Sequence, residues 1–149
     1  MQAMGGPQTG MILEAVQNYP VTVIGPRGVL VQEGQKTGKL YVLKSGDLEI
    51  VRDGSLVASI GEAGAIVGEM SVLLDQPHTA TVRSRMGAEV HTIADPDAFL
   101  DANPSIARQI AGLLAVRLQK TTALLVDMRQ QAKEREDHVM FDKIFALLK

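Results

Sequence analysis

The pattern of hydrophobic and polar positions changes twice along the chain. Residues 11–18 place apolar side chains at the spacing of a short helix, which ends near Pro20. From residue 21 to 90, short β-branched runs alternate with glycine-containing turns, a pattern typical of a small antiparallel barrel or sandwich. From residue 104 onwards the apolar positions return to a helical period.

The turn residues divide the middle region into short strands. Strands are predicted at residues 21–24, 29–31, 40–43, 48–52, 55–60, 79–84 and 89–93. Asp53 and Gly54 stand between two alternating runs and indicate a two-residue hairpin turn. Strands joined by tight turns predict an antiparallel β-roll.

Two proline pairs mark the starts of helices. Asp95–Pro96 and Asn103–Pro104 each combine a capping residue with proline at the first helical position. The second helix is long and carries a heptad-spaced seam made of Leu114, Leu118, Thr121, Leu125, Met128 and Ala132. We expect a two-fold dimer through this helix; the alternative is an amphipathic helix packed on its own barrel.

The predicted organisation has three parts. Residues 1–10 form a flexible leader, residues 11–103 the β-roll, and residues 104–149 the long helix with a terminal amphipathic segment. The fold class is mainly β with flanking helices: an antiparallel roll of the jelly-roll or double-stranded β-helix kind, with a short N-terminal helix and a long C-terminal dimer helix.

Composition narrows the functional classes. The 149 residues carry a formal net charge of −2, which argues against nucleic acid as a partner. There is no cysteine, no apolar run long enough to span a membrane and no signal-peptide pattern, so a cytoplasmic protein without membrane attachment is expected. The three histidines lack metal-ligand spacing, and no phosphate-loop or nucleophile-elbow motif is present. We therefore expect no metal, no cofactor and no enzymatic activity.

Residues 68–82 read GEMSVLLDQPHTATV and hold the candidate chemistry. Gly68 permits close approach of a ligand to the backbone, and the first turn of a short helix leaves N–H groups free for an anion. His78 or Thr79, returning from the Pro77 turn, could close over that anion. The stretch predicts an anion site.

This stretch resembles the phosphate-binding cassette of cyclic nucleotide-binding domains of the catabolite activator protein (Crp/Fnr-like) family. Gly68, Glu69, Thr79, Ala80 and Val82 match the family pattern. The similarity extends over the glycine turns of LVQEGQKTGKLYVLKSGDLEIV and the helix NPSIARQIAGLLAVRLQKTT, from about residue 21 to 128.

The resemblance implies a role for each matching residue. Backbone N–H groups near Met70 and Ser71 would face the phosphate of cyclic AMP or cyclic GMP, beside Gly68. Glu69 would accept a hydrogen bond from the ribose 2′-hydroxyl, and Thr79 would donate one to a phosphate oxygen.

The sequence departs from the family at one position, where His78 replaces the usual phosphate-pairing arginine. An imidazole cannot form the two-pronged guanidinium contact, and the loss is worth roughly tenfold to hundredfold in affinity. If His78 touches the phosphate, affinity should rise as the pH falls through roughly 6.5. Arg83 and Arg85 share a strand face with Thr79, and we interpret them as solvated surface or ion pairs.

Thr121 and Thr122 stand where the family's dimer helix contacts the base, so the resemblance implies purine recognition there. Without that resemblance, hydroxyls inside a helix usually bond to their own backbone or face solvent, and a polar residue on a seam can set its register.

The sequence thus favours a cyclic nucleotide sensor without the helix-turn-helix module, acting as a homodimer on an effector protein through its C-terminal helix. Three alternatives stay open. The chain could be a degenerate domain that dimerises or binds proteins without nucleotide, the front part of a transcription regulator, or a binder of another anion such as a cyclic dinucleotide.

Overall fold

The structure, a computed structural model, describes residues 7–133 and 138–148. The helices in this part of the chain are α1 (Pro7–Val16), α2 (Glu69–Leu74), α3 (Pro96–Ala102), α4 (Pro104–Ala132) and α5 (His138–Leu147). The strands are β1 (Val21–Ile24), β2 (Val29–Val31), β3 (Leu40–Gly46), β4 (Leu48–Arg52), β5 (Ser55–Ile60), β6 (Ile66–Val67), β7 (Thr81–Arg83) and β8 (Ala88–Ile93).

The strands form two four-stranded sheets, in the orders β1-β8-β3-β6 and β2-β7-β4-β5, and every pairing is antiparallel. Both sheets contribute to one buried apolar core, which contains Ile24, Val31, Tyr41, Leu43, Leu48, Ala65, Val67, Val82, Ala88 and Val90. The predicted antiparallel β-roll with flanking helices is confirmed.

Local turn chemistry accounts for the hairpin between β4 and β5. Arg52 pairs with Ser55 across the two-residue turn Asp53–Gly54, as the sequence predicts. The start of α3 also follows the prediction, because the Asp95 carboxylate accepts a hydrogen bond from the Ala98 N–H at 3.1 Å and Pro96 opens the helix.

Several predicted boundaries differ from the structure; β3, for example, extends to Gly46 rather than ending at residue 43. Helix α1 begins at Pro7, so residues 7–10 are helical rather than part of a leader; residues 1–6 of that prediction lie outside the described residues. Proline suits the first helical position, where its missing N–H costs nothing. Strand β7 begins at Thr81 rather than at residue 79, because the His78 main chain bonds instead to Gly34 and Gln35.

Asn103 lies between two helices. Its side-chain amide donates to the Phe99 carbonyl at 2.9 Å and closes α3, and its main-chain carbonyl accepts from the Ala107 N–H at 3.2 Å in the first turn of the helix that follows. Pro104 does open α4.

The chain divides into two compact units, Met1–Ala107 and Arg108–Lys149. In the second unit, Arg129 of α4 pairs with Asp142 of α5 at 2.6 Å, and its guanidinium lies 5.4 Å from the centre of the Phe145 ring. Ala132 and Phe141 are buried, so α5 contacts the end of α4. Whether residues 11–103 form the domain as predicted stays a prediction.

The corner between β3 and β4 demands a glycine, and we expect Gly46→Ala to destabilise the roll strongly. Gly46 has φ of 87°, and a Cβ there would come within 2.2 Å of the Gly87 carbonyl oxygen. We expect a loss of about 2–4 kcal/mol in the free energy of unfolding, measured by urea denaturation. The matched control is Gly61→Ala, where a Cβ meets nothing within 4 Å, with a change within about 0.5 kcal/mol. Equal stability of the two variants would contradict this account.

Candidate ligand-binding site

The cassette, defined here as residues 68–79, begins where β6 ends. Gly68 adopts φ of 91°, and a Cβ at this position would lie 3.0 Å from the Lys39 carbonyl oxygen. Any residue with a side chain would therefore be strained in this backbone conformation, and its Cβ would be crowded by the residue that precedes β3. Only glycine lets the chain leave the sheet so tightly and turn at once into α2.

Helix α2 buries polar side chains and exposes apolar ones, the reverse of the usual arrangement. The side chains of Glu69 and Ser71 are buried, at 7% exposure each, whereas Met70, Leu73 and Leu74 are about half exposed. The Ser71 hydroxyl donates to the Gln76 carbonyl and ties the helix to the turn that follows it. Ser71 therefore uses its side chain for structure, and only its backbone N–H is left for the role that the resemblance implies.

His78 is buried, at 6% exposure, and its ring takes part in a polar cluster behind the cassette. The imidazole Nε2 lies 2.9 Å from the Thr37 hydroxyl, which also accepts bonds from the Tyr41 hydroxyl at 3.2 Å and the Lys39 N–H at 3.3 Å. A threonine hydroxyl has one hydrogen and two lone pairs. Because both lone pairs are taken, its hydrogen points to Nε2, which must be the unprotonated nitrogen.

Burial acts in the same direction as this hydrogen bond. Removal of the ring from water lowers the pKa of His78 below its ordinary value of 6.5. A second proton would also displace the hydrogen that Thr37 donates. The ring is therefore neutral at pH 7, and its protonation in the absence of a ligand lies below the pH of 6.5 that the sequence suggested.

The loop between β2 and β3 is bound to the cassette along its length. The His78 N–H donates to the Gln35 carbonyl and the Gly34 N–H to the His78 carbonyl, each at 2.8 Å. Lys36 forms an exposed ion pair with Asp75 at 2.6 Å. Sequence reasoning missed Thr37, which lies 41 residues from His78, because nothing in the local pattern links the two.

The predicted site residues fall into two groups. Gly68, Glu69, Met70, Ser71, His78 and Thr79 lie together in the first unit, in the segment formed by α2 and the turn after it. Thr121 and Thr122 lie on α4 in the second unit. Their contact with the base, like the ligand role of every residue above, stays a prediction.

The two arginines after the cassette have different surroundings. Arg83 donates from Nε to Glu49 at 3.2 Å, which confirms the predicted ion pair for that residue. Arg85 is exposed, and its backbone N–H donates to the Asp47 carboxylate at 3.0 Å. Neither lies beside His78 in the polar cluster with Thr37.

No group of three or more potential metal-ligating side chains occurs among residues 7–133 and 138–148. In the same part of the chain, no helix is both long and apolar enough to cross a membrane.

A family model described as "Cyclic nucleotide-binding domain" matches residues 22–101, which is more than half of the chain and includes the whole cassette. The chain belongs to the cyclic nucleotide-binding domain family. The resemblance on which the sequence analysis relied is thereby confirmed, and the fold agrees. The structure of the catabolite activator protein of Thermus thermophilus superposes with a TM-score of 0.70 at 22% identity, over 86% of this chain and 63% of that one.

Curated relatives contain this cyclic nucleotide-binding domain as a small part of their length. The human voltage-gated inwardly rectifying potassium channel KCNH6 is 30% identical over 93% of this chain and 15% of its own. A cGMP-dependent protein kinase of Plasmodium berghei is 27% identical over 62% of this chain and 10% of its own. The chain thus spans about a tenth to a sixth of these relatives.

The state of His78 predicts how stability depends on pH. A histidine whose pKa is lowered by folding stabilises the native state fully above the unfolded-state value of about 6.5, and this stabilisation is lost as the pH falls below it. We expect the free energy of unfolding to decrease between pH 7 and pH 5 with a slope of up to about 1.4 kcal/mol per pH unit for one proton. In His78→Gln that slope should be smaller. Urea denaturation across this range measures it, and an identical slope in the variant would contradict the neutral, Thr37-bonded ring.

Proposed function

We propose that this chain is a regulatory, non-catalytic domain that binds cyclic AMP or cyclic GMP at residues 68–79. The observation that carries the proposal is the family match over residues 22–101 together with a buried carboxylate, Glu69, directly after the left-handed Gly68. The resemblance places the acceptor of the ribose 2′-hydroxyl at this buried carboxylate. The names of two curated relatives support the ligand class, because both are cGMP-dependent protein kinases.

In this proposal the phosphate is held by neutral donors. The exposed Thr79 and the backbone N–H groups of Met70 and Ser71 supply the hydrogen bonds, and Glu69 accepts from the ribose. His78 is turned inward and Lys36 is paired with Asp75, so neither of these two residues supplements them. Affinity is consequently weaker than in a domain that has an arginine at the His78 position.

The buried His78 also favours a second candidate function. A domain whose phosphate-pairing position has become part of the core suits a dimerising or protein-binding module without nucleotide. The two functions differ in a measurable way, because a sensor changes its stability on binding and a rigid module does not.

Calorimetric titration with cyclic AMP and cyclic GMP at pH 7 separates these functions. We expect the natural protein to bind one of them, and His78→Arg to bind it about tenfold to hundredfold more tightly because a charged hydrogen bond is restored. Gln76→Arg is the matched control, since it adds the same charge at an exposed position of the same turn and should change affinity little. Thermal unfolding establishes that each variant is folded.

Two outcomes would count against a working sensor. Binding by His78→Arg alone would favour the module without nucleotide, with a pocket whose clamp is lost. Binding by neither the natural protein nor the folded arginine variant would contradict the proposed ligand.

The signal would pass through α4, which we propose forms a homodimer interface and reaches an effector. Its predicted seam includes exposed apolar side chains, with Leu118 at 56% and Met128 at 42% exposure, whereas Ala132 is buried within the second unit. Apolar surface left exposed along a helix in this way suits a second helix.

We expect Leu118→Glu to weaken dimerisation by at least about tenfold in sedimentation equilibrium, because it places a charge on the apolar seam. Gln119→Glu introduces the same charge at the neighbouring exposed position and should leave the dimer intact. A natural protein that is monomeric at all concentrations studied would contradict the dimer.

A further inference from the structure

A cleft of about 290 Å³ lies outside the cassette and is lined by Arg27, Glu49, Arg83, Ser84 and Arg85. The lining contains three arginines and Glu49, and the Asp47 carboxylate bonds to the Arg85 N–H, so these side chains carry an excess of one positive charge. None of the cassette residues that carry the proposed nucleotide site line this cleft. Its charge is unusual on a chain whose formal net charge is −2.

Hydrogen bonds of the backbone hold the segments that carry the three arginines close together, despite the repulsion between the like charges. The Ser84 N–H donates to the Gly28 carbonyl at 2.9 Å, which joins the β1–β2 turn to the end of β7. Asp47 accepts from the N–H groups of Arg85 and Met86 at 3.0 and 3.1 Å, and these bonds lower the pKa of its carboxyl. The Arg85 backbone is thus fixed by a carboxylate that remains ionised.

Arg83 is ion-paired with Glu49 and still has N–H groups for a second acceptor. It lies directly opposite Glu49 in the β4–β7 pairing and uses Nε for the 3.2 Å bond. A guanidinium has five N–H donors, so four remain for another acceptor. Glu49 therefore positions a donor fork of the kind that suits phosphate and carboxylate groups.

Arg27 supplies the second observation. It has φ of 62°, in the left-handed region, where long side chains without a local hydrogen-bonding oxygen are uncommon; the other non-glycine residues there are two aspartates, Asp53 and Asp75. No hydrogen bond or ion pair of its side chain is found among the described residues. The Gly28 N–H bonds to the Gly25 carbonyl at 2.9 Å, so Arg27 is the third residue of a β-turn, and its exposed side chain is available to a ligand.

We propose that this arginine cleft binds a dianionic phosphate group, as inorganic phosphate or the phosphate of a small phosphomonoester. A phosphomonoester carries about −1.5 to −2 charges at pH 7, and its oxygens accept the charge-assisted, bidentate hydrogen bonds that guanidinium groups donate. A volume of about 290 Å³ stands at the lower limit of small-molecule pockets, so the cleft holds the phosphate group and little more. The groups that face this ligand are Arg27, Arg83 and Arg85, with Glu49 and Asp47 as the neighbouring acids.

The test is calorimetric titration of the full chain with inorganic phosphate, glycerol phosphate and acetate at constant ionic strength. We expect both phosphates to bind and acetate to bind at least about tenfold more weakly, since it carries a single charge. Arg27→Asn, which suits the left-handed turn, and Arg85→Gln should each weaken phosphate binding by about tenfold or more. Arg52→Gln is the matched control, with the same loss of charge on β4 outside the cleft, and should bind as the natural protein does.

Other results would overturn the proposal. These are the absence of phosphate binding, acetate binding of equal strength, or an equal loss of binding in Arg52→Gln, which would indicate general surface charge. Displacement of bound phosphate by cyclic AMP or cyclic GMP would also overturn it, because the cleft and the cassette would then be one site. Failure of cyclic nucleotide binding leaves this result unaffected, so the two proposals fail separately.

Discussion

The hydrogen bond between Thr37 and His78 is the contact on which the cassette depends. It joins the loop after β2 to the turn after α2, and it is partly buried beside Tyr41 and the left-handed Gly68. The main-chain bonds of His78 to residues 34 and 35 act with it. Because these contacts converge on one residue, a neutral and buried histidine holds the cassette in its shape.

A charged side chain at position 78 could both anchor the turn and attract an anion, whereas the neutral histidine only anchors the turn. An arginine at this position would have to remain solvated or find an anion, since a buried unpaired charge is very costly. A neutral histidine can be buried at small cost when both its surroundings and its hydrogen bond favour the uncharged form. The turn therefore gains a stable anchor that carries no charge at position 78.

How far the sequence predicted the molecule depended on the range of each interaction. Asp53–Gly54 and Asp95–Pro96 specify their turn and helix start from adjacent residues, and both form as predicted. Asn103 serves both neighbouring helices, because its side chain closes α3 and its carbonyl begins α4, and the sequence pattern indicated only the second role. Helix α1 begins earlier than predicted, and Pro7 suits its first position.

The candidate sites also depend on interactions between residues that are far apart in the sequence, and these could not be predicted from local patterns. The pattern of residues 68–82 located the cassette, because its glycine and helical turn are contiguous in the sequence. It could not show that His78 points inward, since that direction is set by Thr37, far away along the chain. The arginine cleft was out of reach for the same reason: the β1–β2 turn, β4 and the end of β7 assemble it, and only Arg83 and Arg85 are near each other in sequence.

The positions of His78 and of the three arginines determine how positive charge is distributed between the cassette and the cleft. Strand β7 runs from the cassette, where His78 is neutral, to the cleft lined by three arginines, within one unit of the chain. Coulomb attraction at a solvated surface is screened over about 8–10 Å, so a cation at one end of such a strand does little for an anion at the other. Under the two proposals made above, the roll would therefore present two anion sites of different character. The cassette would select by shape and neutral hydrogen bonds, and the cleft by charge.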